Sequence, residues 1–93
     1  MPFEFDWDEK KAQENARKHS VTFAEATTVF GDPLAMTRPD VEHSTHEDRE
    51  VTLGMSYRRR LLVVVHTERG DNTRIISARV ATRSERRAYE EEN

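Results

Sequence analysis

The chain of 93 residues is 34% hydrophobic and 35% charged and holds no cysteine, a thin core under a solvated surface that leaves room for one domain, spanning residues 1–93, and excludes disulfides and thiolate metal sites. Its longest apolar run, Leu61 to Val65, is too short to span a membrane, and the start Met-Pro-Phe-Glu-Phe-Asp lacks the basic and apolar regions of a signal peptide, so the cytoplasm is the expected compartment. The net charge of −3 is unevenly divided: residues 1–50 hold six basic and twelve acidic side chains, whereas residues 51–93 hold nine arginines, no lysine and six acidic side chains.

In chain order, the aromatic start Phe3 to Phe5 predicts a strand, and Asp6-Trp7-Asp8-Glu9 supplies acidic residues suited to a helix N-terminus. A helix over about residues 8–18 follows. Its positions Ala12, Asn15, Ala16 and His19 fall on one face, and Lys18 and His19 sit where cations complement the helix dipole. Thr22-Phe23-Ala24-Glu25 has capping-box spacing and opens a second helix with Phe23, Ala26 and Phe30 on one face, stopped by Gly31-Asp32-Pro33. Leu34 to Arg38 reads as a short strand and the polar stretch Pro39 to Asp48 as a loop. Alternation of Val51, Leu53, Met55 and Tyr57 with polar partners predicts a half-buried strand. Arg58-Arg59-Arg60 turns into the β-branched run Leu61 to Thr67, and Gly70-Asp71-Asn72 turns into a strand over Arg74 to Val80. Thr82-Arg83-Ser84-Glu85 repeats the capping-box spacing and opens a C-terminal helix on which Tyr89 is the one large apolar anchor. The expected architecture is α+β: an N-terminal strand and two-helix hairpin, an antiparallel sheet of about four strands, and a C-terminal helix.

Chemistry concentrates in the second half, where arginine's planar fork suits phosphate and keeps its proton at any cellular pH. Strict alternation along Arg74 to Val80 puts Ile75, Ser77 and Arg79 on one face, so Arg79 ends a packable row. Either it pairs with an acidic residue such as Glu47 or Asp48 or reaches solvent, or it clamps a phosphate. Arg83 and Arg86, three apart on the next helix, would face the same spot if that helix folds back over the sheet. Metal-free RNA cleavage requires a base for the 2′-OH proton, an acid for the leaving 5′-oxygen and fixed positive charge for the phosphorane. Among His19, His43, His46, His66, Glu47 and Asp48, only His19 stands at a helix end that would fix its orientation, where it could equally serve to close the helix. His66 falls inside a strand with no special role. His43-x-x-His46-Glu47 matches no zinc-protease spacing, and neither a metal nor another cofactor is expected.

Taken together, Phe5-Asp6-Trp7-Asp8-Glu9, Asn15, Lys18-His19, Phe23-Ala24-Glu25-Ala26, Val29-Phe30-Gly31-Asp32, His43, Glu47-Asp48-Arg49, Gly54, Arg74-Ile75-Ile76-Ser77-Ala78-Arg79 and Glu85-Arg86-Arg87-Ala88-Tyr89 resemble the BrnT-type toxins in order and spacing. The resemblance runs from Phe3 to Tyr89. It implies a RelE-like ribonuclease fold, metal-independent RNA cleavage that inhibits translation, and neutralisation by a BrnA-like ribbon-helix-helix antitoxin through which alone DNA is contacted. It also implies His19, Glu47, Arg49, Arg79, Arg83 and Arg86 as candidate catalytic residues. Ser20 departs from the family, which usually has glycine after Lys-His, where a helix closes with positive φ. Two alternatives need less chemistry: an RNA- or ribosome-binding module without catalysis, and a degenerate toxin that only partners its antitoxin.

Overall fold

The computed structural model describes residues 4–43 and 48–93; Phe3, His46 and Glu47, named above, lie outside them. Five strands form one sheet: β1 (Glu4–Asp6), β2 (Met36–Pro39), β3 (Arg49–Met55), β4 (Leu61–Arg69) and β5 (Asn72–Val80), in the order β1-β5-β4-β3-β2. Strands β2 to β5 are the expected antiparallel set. The N-terminal strand is not separate from them, because β1 adds a fifth strand parallel to β5, with Glu4 opposite Asn72 and Asp6 opposite Arg74. The sheet is therefore mixed, a correction to the four-stranded antiparallel expectation. Pairing of chain ends so distant in sequence leaves no local signal.

Helix α1 (Glu9–His19) starts where the Asp8 carboxylate accepts the Lys10 and Lys11 amides at 2.9 and 3.2 Å. It closes on Ser20 at φ 58°, whose amide donates to the Ala16 carbonyl. Helix α2 (Phe23–Thr27) is shorter than expected, since its last residues tighten into a 3-10 turn over Thr28–Gly31. Only half of its capping box forms. Thr22 accepts the Glu25 amide at 3.0 Å, but the Glu25 carboxylate turns inward to Ser56 Oγ at 2.7 Å and to the Arg60 guanidinium. The ion pair with Arg60 keeps this buried carboxyl below the usual glutamate range against the opposing effect of burial. Helix α3 (Arg83–Glu92) has the complete box: Thr82 Oγ1 accepts the Glu85 amide and Glu85 accepts the Thr82 amide.

The core lies between α1, α2 and one face of the sheet, where Val21, Phe23, Ala26 and Val29 pack on Leu62, Val64, Ile75 and Ala78. Removing such side chains from water supplies the main driving force. Phe5, Trp7 and Phe30 edge this cluster. Gly54 lets β3 abut the 3-10 turn, since a Cβ there would stand 3.0 Å from the Ala35 Cβ and 3.2 Å from the Val29 carbonyl oxygen. Ile75 and Ala78 share this inner face although they are three residues apart. A β-bulge explains it: His66 pairs with Ile75 and Val65 with Ser77, which leaves Ile76 unpaired and shifts the alternation by one. Ile75, Ser77 and Arg79 therefore do not share a face, as strict alternation predicted.

Candidate functional site

Past the bulge, Ser77 and Arg79 stand on the outer face of the sheet. Register places Met36 and Arg38 of β2 there, together with Arg49, Val51 and Leu53 of β3 and Val63, Val65 and Arg69 of β4. Arg74 joins them, opposite Thr67 and ion-paired with Asp6 at 3.3 Å. Valine and leucine form the floor of this face, and five arginines, Arg38, Arg49, Arg69, Arg74 and Arg79, stand around it. Helix α3 covers one side only: Ser84, Glu85 and Ala88 close a groove of about 220 Å³ over Val51, Leu53 and Val63. Tyr89 anchors the helix, buried and donating to Asp32 at 2.7 Å.

Arg79 is engaged within the fold. Its guanidinium donates two parallel hydrogen bonds of 2.8 Å to Glu85, an acidic partner other than the Glu47 or Asp48 that the sequence offered for the ion-pair alternative. This pair is the largest influence holding the Glu85 carboxyl down to about 2. Glu85 thus seats its carboxylate where an anion would sit, between the Arg79 fork and the N-terminus of α3. Arg83 and Arg86 are exposed and, among the described residues, make no ion pair; the positions of α3 that line the groove over the sheet are Ser84, Glu85 and Ala88. Arg49 stands at the far end of the outer face, opposite Thr67, about 13 Å along β4 from Val63, the partner of Arg79.

His19 ends α1 half-buried and lines a shallow pocket with Lys18, Asn15, Ile76 and Ser77, where β5 runs on beyond its pairing with β1. Its position depends on Asn15. That buried amide donates to the Ala78 carbonyl at 2.8 Å and accepts the Ala78 amide at 3.1 Å, as a neighbouring strand would, and also donates to the Val21 carbonyl. The structure thus brings His19 and Arg79 to one strand, with α3 following directly, and leaves Arg49 apart. Sequence reading passed over Arg38, Arg69 and Arg74 as site residues. Counting them onto one face requires the strand register, in which the bulge is invisible beforehand. It also missed the Glu25–Arg60 pair, whose Nη2 reaches the Ser20 carbonyl at 3.0 Å and ties the β3–β4 turn to the end of α1.

Residues 7–85 match the profile of a family described as the ribonuclease toxin BrnT of type II toxin-antitoxin systems. In structure the chain is similar to the crystal structure of the Brucella abortus ribonuclease toxin BrnT, with 26% sequence identity, a TM-score of 0.68, and coverage of 88% of this chain and 100% of that one. No curated protein sequence matches.

Proposed function

The chain belongs to the BrnT ribonuclease toxin family of type II toxin-antitoxin systems, and from that membership we propose that it is an endoribonuclease that cleaves RNA without a metal ion, inhibits translation in the cytoplasm, and is neutralised by a BrnA-like ribbon-helix-helix antitoxin through which alone it meets DNA. The observation that carries the reading is the outer sheet face, an apolar floor ringed by five arginines and bordered by the first turns of helix α3, which carry Arg83, Arg86 and Arg87. Bases can lie on the floor while guanidinium groups hold the phosphates.

Arg79 is the phosphorane-binding residue in this proposal, with the substrate phosphate taking the seat that Glu85 holds. Arg83, Arg86 and Arg49 steer the strand, and proton transfer falls to His19 at the β5 edge and to Glu47. Glu85 is a poor proton carrier, because Arg79 keeps it ionised far below neutral pH. The test is cleavage of a defined RNA in excess EDTA, which should persist and leave a 2′,3′-cyclic phosphate or 3′-phosphate end. Loss of cleavage, restored by magnesium, would overturn the mechanism. The closed Arg79–Glu85 pair favours a second reading, an RNA-binding module without catalysis, and single-turnover cleavage separates the two.

A further inference from the structure

On the inner face of the sheet, away from Arg79, stands a histidine that the ribonuclease reading does not use. His66 is 2% exposed, packs edge-on to Phe30 with ring centroids 4.9 Å apart, and contacts Thr52 Oγ1 through Nε2 at 2.7 Å. Thr52 Oγ1 in turn lies 2.7 Å from Thr37 Oγ1. The other ring nitrogen, Nδ1, is buried without a hydrogen-bond partner among the described residues. A buried polar atom left in this way keeps the full cost of its desolvation, so something should compensate it. Burial also pushes the His66 pKa down, which keeps the ring neutral. In the tautomer whose Nε2–H donates to Thr52, Nδ1 presents a lone pair.

Two carboxylates meet that lone pair. Glu68 Oε2 lies 3.9 Å from Nδ1, and Glu50 is the cross-strand partner of His66; one ligand atom from each of the three residues falls within 4.8 Å of the others. We propose that Glu50, His66 and Glu68 form a site for a divalent transition-metal ion of the zinc or manganese class, which pins the start of β3 to the β4–β5 hairpin. One imidazole with two carboxylates is a borderline ligand set that suits such ions. Metal–ligand bonds of about 2.0–2.2 Å put neighbouring ligands roughly 3.5 Å apart, so the cluster must draw in by about 1 Å. Glu68, whose side chain is 60% exposed, supplies that movement. The outer partners are already in place: Thr52 fixes the imidazole, and Thr73 Oγ1 donates to the Glu68 carboxylate at 3.0–3.2 Å. A cleft of about 700 Å³, with Asp48, Glu50 and Glu68 in its wall, opens the site to solvent.

The whole chain, stripped of metal and titrated with zinc or manganese chloride alone, should bind one equivalent by calorimetry. Its Tm should rise by at least about 5 °C at a hundredfold excess over Kd. Glu68→Gln and Glu50→Gln, at positions exposed enough to keep the fold, should each weaken binding by about tenfold or more, and His66→Gln should abolish it. A double His43→Ala/His46→Ala variant should bind as the parent does. Absence of binding, or affinity unchanged in both glutamine variants, or binding lost only in the double histidine variant, would each overturn the site. RNA cleavage in EDTA reports on the catalytic reading alone and leaves this one to the titration.

Discussion

Arg79 and Glu85 bind each other through two hydrogen bonds while their side chains remain 41% and 26% exposed, so solvent screens the pair and its worth to stability is at most about 1 kcal/mol. Its larger consequence falls on binding. If Arg79 holds the phosphorane, Arg79→Ala should lower the single-turnover cleavage rate by on the order of 10² to 10³ while Tm changes little. Glu85→Gln, which leaves the cap but frees the guanidinium, should tighten RNA binding. A destabilised but fully active Arg79→Ala protein would remove the residue from the site. Ser20 offers a test with the opposite sign. It sits at φ 58°, where glycine is favoured by about 1 kcal/mol, so Ser20→Gly should raise Tm by roughly 4–8 °C. An unchanged Tm in thermal denaturation would mean that the greater freedom of glycine in the unfolded chain cancels the relief of strain.

Helix α3 is held at two points, by Glu85 near its start and Tyr89 near its end, and the two titrate in opposite directions. Glu85 falls from an ordinary 4.5 to about 2, so its stabilisation is complete above about 4.5 and is lost as pH falls toward 2. Tyr89 rises from 10.0 to about 12, chiefly through burial and then through its bond to Asp32, so its stabilisation is complete below about 10 and is lost as pH climbs toward 12. Amide protection in α3, taken relative to intrinsic exchange at each pH, should therefore fall at both extremes. Glu85→Gln should remove the acid limb relative to the parent and Tyr89→Phe the alkaline one. An acid limb identical in parent and Glu85→Gln would show that other carboxyls govern it.

At the scale of the molecule, the acidic total conceals a cationic face. RNA affinity should fall steeply between about 50 and 200 mM salt, since each phosphate contact releases counterions. Salt-independent binding would sink the proposal that this face meets RNA. The same field predicts an antitoxin that covers the arginines with acidic side chains, so charge reversal at Arg83 and Arg86 should weaken the toxin-antitoxin complex. Complex formation indifferent to that reversal, measured by calorimetry, would count against it.

Local rules were legible in the sequence because they act over a few residues: the Asp8, Thr22 and Thr82 caps, the stop at Gly31-Asp32-Pro33, the alternation of β3 and the turn at Gly70 all appear near their expected places. The order of elements followed from those signals, whereas the family followed from the resemblance of the residues as a set. What tertiary structure decided depends on partners distant in sequence. Parallel addition of β1 to β5, the bulge at Ile76 that reverses the face of Arg79, the inward turn of Glu25 to Arg60, and the burial of His66 against Phe30 each require two segments to meet before either shows its role. Alternation along one strand fixes which residues share a face only while its register is regular, and a single unpaired residue is set by packing across the sheet.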